Sequence, residues 1–254
     1  MNPAARKQEI LRMLQKQESV QVLELARSLD VSKVTIRNDL DELENKGLLL
    51  RTYGGAVLPE KRGTERFIAD TMKEYYEQKE QIARLASTLV SPGQNIIIDN
   101  GSTTVHLAKY LRDMAVTVTT SSLLVIEELM HAEKVDLIVS GGVLRRQSMG
   151  LMGNLSKDVY RQVHADWLFL GASGYSAAQG VFCTNLIEAE TKQAMIQSAT
   201  KVCLLVDSSK MERLSLARVC DWNAVDYVIT DTISAEVEQS ITEAGVKVLA
   251  VDTQ

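Results

Sequence analysis

Five short stretches of this 254-residue chain place hydroxyl or amide side chains, mostly with glycine, directly after an apolar run. They are Asp99-Asn100-Gly101-Ser102-Thr103-Thr104, Thr119-Thr120-Ser121-Ser122, Ser140-Gly141-Gly142, Gly171-Ala172-Ser173-Gly174 and Asp207-Ser208-Ser209-Lys210. Glycine lets a ligand approach backbone N–H groups, and Ser and Thr add short donors. A helix that begins at such a turn points its positive dipole end at an anion. Phosphate suits that combination. A single turn is ambiguous, because Ser and Thr also cap helices with no ligand present; five on one rim favour a binding site. Lys210 adds a mobile cation whose plain alternative is a solvated surface lysine. Asp99 and Asp207 are suited either to binding hydroxyls or to capping the helices that follow. Glu188 and Lys192, four residues apart, read most simply as an exposed helical ion pair worth about 0.2–0.5 kcal/mol. Their proximity to Thr184-Asn185 argues for a larger part.

These turns share a rim only if a sheet aligns them. Apolar runs at 95–98, 116–118, 135–139, 166–170, 202–206, 227–229 and 246–250 alternate with helical patterns, the layout of an α/β domain with a mainly parallel, Rossmann-like sheet. Near-continuous Val, Ile and Leu in those runs implies burial on both faces. In an open sheet of this kind ligands bind at the carboxyl ends of the strands, where the five stretches fall.

The first sixty residues carry a different chemistry. Ile10, Leu11 and Leu14 share one helical face, and Val22, Leu25, Ala26 and Leu29 repeat at i, i+3, i+4, i+7. Asp30-Val31-Ser32 breaks the pattern, and Ser32 is suited to cap a third helix whose inward stripe is Ile36, Leu40 and Leu43. Val34, Arg37 and Asn38 then point outward. Arg37 offers a planar fork to guanine or phosphate and Asn38 pairs with adenine, while Ser32, Lys33 and Thr35 lie where a helix amino terminus meets a phosphate backbone. The acidic residues Asp39, Asp41, Glu42 and Glu44 come later, as suits a helix whose far end leaves the phosphates. Gly47 stops the helix, and 48–51 with 56–58 form two strands about Tyr53-Gly54-Gly55, a wing with Arg51 and Tyr53 near its tip. The plain alternative is a tri-helical packing module.

The expected organisation is a winged helix-turn-helix at 1–58, a linker at 59–73 and an α/β domain at 74–254. Pro59 to Thr64 has linker composition, and a mixed-charge helical pattern follows at about 72–90. Tyr75 and Tyr76 on it are expected to pack against the neighbouring domain. The overall charge of −5 divides unevenly: residues 1–62 hold eleven Lys and Arg against nine Asp and Glu, a net +2, which leaves −7 for the rest. Cys183, Cys203 and Cys220 show no paired spacing with one another or with His106, His131 and His164, so no disulfide framework, metal site or cofactor is indicated. No apolar run approaches a membrane span and no signal-peptide pattern opens the chain, which gives a cytoplasmic expectation.

The stretch Val31-Ser32-Lys33-Val34-Thr35-Ile36-Arg37-Asn38-Asp39-Leu40, followed by Leu43, Gly47, Arg51 and Gly54-Gly55-Ala56, resembles the helix-turn-helix of the DeoR family of transcription regulators. Asp99 to Thr104, Gly141-Gly142, Gly171 to Gly174, the run from Asn185 to Met195 and Asp207 to Lys210 resemble that family's sensor domain. The resemblance implies a sensor similar in fold to ribose-5-phosphate isomerase that binds a phosphorylated sugar or related metabolite. By position, Gly101 to Thr104 and Thr120 to Ser122 would meet the phosphate, and Asp99, Glu188, Lys192 and Lys210 would face the sugar. The chain departs from the family pattern at Asn38, commonly arginine, at Ser121, commonly asparagine, and at Ser173, commonly aspartate.

The reading is therefore a repressor that binds double-stranded operator DNA as a homo-oligomer, dimer or tetramer, and is released by its effector. A sugar-phosphate isomerase needs a positioned base; Glu188, Asp99 and Lys210 are the candidates, and Ser173 takes a carboxylate out of the loop where such a site is rich in acids. The attached DNA-binding motif weighs further against an enzyme. A third possibility is a scaffold whose helix-turn-helix meets only protein.

Overall fold

The helical stripes read from the sequence close into one core in the first of two units, Met1–Thr64 and Glu65–Gln254, into which the chain divides. The computed structural model describes residues 3–17, 19–45, 48–52, 54–57 and 67–251. Gly47, Tyr53, Leu58 and the 59–64 stretch lie outside the described residues, and of Arg51 only the backbone is described. In order come α1 (Pro3–Gln17), β1 (Ser19–Gln21), α2 (Val22–Ser28), α3 (Lys33–Asn45), β2 (Leu50–Thr52) and β3 (Gly55–Val57). Ile10 and Leu14 of α1, Val22 and Leu25 of α2, and Ile36, Leu40 and Leu43 of α3 meet in a buried cluster with Val20, Leu29, Leu49 and Ala56. The break between α2 and α3 is a tight turn in which Asp30 takes a left-handed φ of 51° and Val31 N–H donates to the Ala26 carbonyl at 3.1 Å.

The wing strands β2 and β3 pair antiparallel, Leu50 opposite Val57 and Thr52 opposite Gly55. A third strand, β1, not expected from the sequence, pairs with the other edge of β3 to give the order β1-β3-β2. Three residues are too few for an alternation signal. This pairing explains Gly55: a Cβ there would sit 2.1 Å from the Val20 carbonyl oxygen. Asp39 corrects the expectation for the acidic residues of α3. It is buried, and its carboxylate takes Arg6 Nε at 2.5 Å and Nη2 at 3.1 Å, a two-point clamp of α3 onto α1.

The second unit runs α4 (Ile68–Thr71), α5 (Tyr76–Ser87), β4 (Asn95–Ile98), α6 (Thr104–Leu111), β5 (Val116–Thr120), α7 (Leu123–Leu129) and β6 (Val135–Val139). It continues through β7 (Val143–Arg145), β8 (Gly150–Met152), α8 (Asn154–Gln162), β9 (Ala165–Gly171), β10 (Gly174–Ser176) and β11 (Gly180–Cys183). It ends with α9 (Leu186–Gln197), β12 (Ala199–Leu205), β13 (Ala217–Cys220), β14 (Tyr227–Thr230), α10 (Ala235–Glu243) and β15 (Lys247–Ala250). The seven expected strands form one wholly parallel sheet in the order β15-β14-β12-β9-β4-β5-β6. Their alternate residues feed two cores. Ile97, Leu168, Leu170, Leu204 and Val228 pack with Ala189 and Met195 of α9 and Ile241 of α10. Ile96, Ile98, Phe169, Leu205 and Ile229 pack on the opposite face with Ile82 of α5, Leu107 of α6 and Val125 of α7. The edge strand β6 is the exception, with Asp136, Ile138 and Val139 exposed.

Two antiparallel additions were not legible beforehand: the hairpin β7-β8 and the small sheet β10-β11-β13. Tyr75 and Tyr76 are about half exposed, and the Tyr76 ring stands edge-on to His106 of α6, 5.0 Å between centroids, within the second unit.

Candidate functional site: a strand-end rim and an exposed helix

Because the large sheet is parallel, the turns after β4, β5, β6, β9 and β12 lie along one edge. Thr120 and Gly171, expected in turns, are instead the last residues of β5 and β9. The chain proceeds outward from β4 through β5 to β6, then returns to β9 on the other side of β4. That reversal makes the junction of β4 and β9 the switch point at which sheets of this kind bind ligands. Glycine lines it from both sides: a Cβ on Gly171 would lie 3.4 Å from the Gly101 Cα, and one on Gly101 3.5 Å from the Gly171 Cα.

Asp99 stands at the centre, fully buried. Its Oδ2 accepts from Gly171 N–H at 2.9 Å and from the Lys192 ammonium, which also donates to the Gly171 carbonyl at 3.2 Å. Glu188 Oε1 lies 3.4 Å from the same ammonium, and both residues are buried, so the exposed ion pair of the simplest reading is corrected to a buried carboxylate–ammonium–carboxylate group. Burial opposes charge on Lys192, but Asp99 and Glu188 more than reverse it and hold its pKa above the ordinary lysine value. Burial raises the Glu188 carboxyl, against the pull of Lys192. Asn185, at the amino end of α9, accepts Glu188 N–H at 3.1 Å and fixes where that helix starts.

The other expected residues divide by what their polar atoms do. The Thr104 hydroxyl donates to the Asp99 carbonyl at 2.7 Å, the Thr120 hydroxyl donates to the Ile98 carbonyl at 2.6 Å, and Ser122 caps α7 by accepting Val125 N–H at 3.3 Å. These hydroxyls shape the turns. Thr103, at the start of α6, makes no side-chain hydrogen bond to that helix; it is buried, and Ser102 is half-buried. Ser173 donates its N–H to the Phe182 carbonyl at 3.0 Å, which places it at the root of β10-β11. Gly142 takes a φ of 118°, and a Cβ there would meet the Met152 carbonyl at 2.7 Å; Gly141, φ 67°, begins the same hairpin. Asp207 caps the turn after β12, its Oδ1 accepting Ser209 N–H at 3.1 Å, and Lys210 closes that turn half-buried.

Four buried polar atoms have no partner among the described residues near Asp99: its own Oδ1, Asn100 Nδ2, Ser121 Oγ and the Tyr160 hydroxyl of α8. Burial raises the Tyr160 pKa, against the Ser121 and Ser140 hydroxyls beside it, so it remains a neutral donor. Neither Tyr160 nor Lys79, a buried lysine of α5 paired with Asp207, was found from the sequence. A tyrosine or lysine within an amphipathic helix carries no local mark of a site. The hairpin β7-β8 lies over these groups: Leu151 N–H donates to the Ser121 carbonyl at 2.8 Å and Leu123 N–H to the Met149 carbonyl at 2.9 Å. A Cβ on Gly150 would fall 2.3 Å from Asn100 Nδ2, so a larger residue there would displace that side chain.

The second surface is α3. Ser32 Oγ accepts Thr35 N–H at 3.1 Å, the expected cap. Beyond it Lys33, Val34, Arg37 and Asn38 are exposed, Val34 by 63%, and Thr35 is half-buried. An exposed valine beside two cations and an amide is the mixture that reads thymine methyls, phosphates and purine edges. Among the described residues no helix is long and apolar enough to cross a membrane, and no group of three or more His, Cys, Asp or Glu is placed to hold a metal ion. The three cysteines are free.

Fold and surfaces together define a helix-turn-helix DNA-binding protein with an appended α/β sensor-type unit. Residues 6–62 match the DeoR-like helix-turn-helix domain and residues 74–232 the DeoR C-terminal sensor domain, and the chain belongs to the DeoR family of transcriptional regulators. It is 35% identical to the HTH-type transcriptional regulator GolR of Listeria innocua over 98% of each chain. It is 34% identical to the regulator GlpR of Haloferax volcanii, again over 98% of each, and 32% identical to the glycerol-3-phosphate regulon repressor of Escherichia coli over 91% of this chain and 92% of that one. Among solved structures, ribose 5-phosphate isomerase A of Methanocaldococcus jannaschii aligns with TM-score 0.40 and 18% identity over 54% of this chain and 55% of that chain. eIF2B delta of Chaetomium thermophilum aligns with TM-score 0.46 and 16% identity, over 77% and 61% respectively.

Proposed function

We propose that the protein is a cytoplasmic repressor of a carbohydrate-metabolism operon that leaves its operator when a phosphorylated sugar or related metabolite binds the strand-end rim. The observation that carries this is the set of buried polar atoms with no hydrogen-bond partner among the described residues at the ends of β4 and β5, Asp99 Oδ1, Asn100 Nδ2 and Ser121 Oγ, with the Tyr160 hydroxyl beside them. Each such atom costs about 1–3 kcal/mol unless something satisfies it, and a polyhydroxylated ligand supplies both donors and acceptors. The turn at 101–104 and the start of α6 suit the phosphate, and the Asp99–Lys192–Glu188 group suits the hydroxyls. The names of relatives such as the glycerol-3-phosphate regulon repressor support the ligand class. A homo-oligomer would present α3 in pairs to successive half-sites.

The test is thermal melting of the full chain with a panel of phosphorylated sugars, inorganic phosphate and the unphosphorylated sugars, together with operator-fragment binding at several salt concentrations. One phosphorylated compound should raise the melting temperature and weaken operator binding, Lys210→Ala should reduce both responses, and affinity should fall steeply with salt as counterions are released. No stabilisation by any compound would end the effector reading, and a flat salt dependence would favour the scaffold. The protein is read as a non-enzyme, since the buried candidate bases Glu188 and Asp99 are both held by Lys192. Pentose-phosphate interconversion above background, lost in Glu188→Gln, would reverse that.

A further inference from the structure

We infer that Lys79 couples the strand-end site to α4, the first described helix after the DNA-binding unit, an inference that rests on the effector reading above. At four residues α4 is too short to hold its own shape, and both its ends are tied to groups at the rim. At its start, Ile68 N–H donates to the Gln147 carbonyl at 2.7 Å, and Gln147 sits at the tip of the hairpin whose backbone bonds to Ser121. At its end, the Thr71 carbonyl accepts from the Lys79 ammonium, which also donates to the Glu74 carbonyl at 2.7 Å and lies 3.7 Å from Asp207 Oδ2. Lys79 is only 1% exposed.

An ammonium has three donors, and here two go to backbone carbonyls at the end of α4 and just beyond it, while the charge faces a carboxylate of the rim. A buried lysine stays charged only while a carboxylate offsets its lost hydration. Burial does press the Lys79 pKa down, and Asp207 opposes that. A ligand that donates hydrogen bonds to Asp207, or brings a second anion to its side, alters the group on which Lys79 depends and through it the Thr71 carbonyl. A ligand that meets Ser121 bears on Gln147 and so on the Ile68 N–H. The effector therefore has unequal interaction energies with two settings of α4 without touching it, as ligand control of a distant surface requires.

Amide hydrogen exchange on the full chain, with millimolar inorganic phosphate as the probe, tests this. In the unaltered protein phosphate should slow exchange at 101–104 and change exchange at 69–72. Lys79→Met should keep the first response and lose the second. Ile68→Pro deletes the donor to Gln147 together with the buried isoleucine side chain but keeps the backbone course, because proline is tolerated at the first position of a helix and Phe67, at ψ 139°, already has the extended backbone that proline demands of its predecessor. It should show the same loss, whereas Ile68→Ala, which keeps the N–H, should respond as the unaltered chain does. Should Lys79→Met fail to melt cooperatively, the proline and alanine variants carry the test alone. Phosphate protection at 101–104 with no change at 69–72, or an undiminished change at 69–72 in both Lys79→Met and Ile68→Pro, overturns the coupling and leaves the effector site standing. Absence of protection at 101–104 with phosphate and with every phosphorylated sugar overturns the site, and the coupling falls with it.

Discussion

The exposed face of α3 and the strand-end rim of the second unit use polar residues in opposite ways. On α3 the candidate contacts stand in solvent, and the one buried acid, Asp39, serves to anchor the helix to Arg6. At the rim nearly every charged candidate is buried and held by another: Asp99 by Lys192, Lys192 by Glu188, Asp207 by Lys79. Exposed cations such as Lys33 and Arg37 would suit a helix that lies against a phosphate backbone, as proposed above. Under the function proposed above, a preorganised rim of this kind would leave Asp99 Oδ1, Asn100 Nδ2 and Ser121 Oγ for the ligand to satisfy. Substitutions of the exposed α3 side chains Lys33, Val34, Arg37 and Asn38 should therefore affect binding without stability, and substitutions at the rim should affect both.

Lys192→Met sharpens that contrast most. It leaves Asp99 buried without its ammonium, and unfolding in denaturant should show a loss of about 3–5 kcal/mol. The folded pKa of Lys192 is raised, so its contribution is fully present below the unfolded lysine value of 10.5 and is lost as pH rises through the folded value. The gap between variant and unaltered protein should accordingly be constant through neutral pH and narrow at strongly alkaline pH; a gap insensitive to alkali would mean that packing rather than charge holds the residue.

Arg37→Ala should weaken operator binding by about 1–3 kcal/mol while leaving the melting temperature and effector stabilisation unchanged. If it lowered the melting temperature as Lys192→Met does, the division between a hydrated reader and a preorganised sensor would fail. The smallest effect belongs to Ser32→Ala, which removes the cap on α3 and should cost about 1 kcal/mol of stability in the first unit, with the rim's ligand response intact.

Much of this arrangement was legible beforehand. The stripe Ile36, Leu40, Leu43 fixed which side of α3 faces out, and the apolar runs located all seven strands of the large sheet to within a few residues. Period and burial are both local properties of a strand or helix packed on one core. What escaped reading were three-residue strands such as β1, β7 and β8, which are held by neighbours rather than by their own pattern. Lys79 and Tyr160 escaped because a single polar residue on an amphipathic helix looks like its solvated neighbours until the opposite surface is known.

By itself, the order of residues determined the helix faces, the strand positions and the chemical content of each turn, since these depend on side chains a few positions apart. Only the tertiary structure decided that Asp99 and Lys192, 93 residues apart, would share one buried bond, and that Lys79 would join Asp207 to the end of α4. Whether a charge is a solvated ornament or a fixed part of a site depends on how much water is removed around it and what replaces that water, and those are properties of the packed chain.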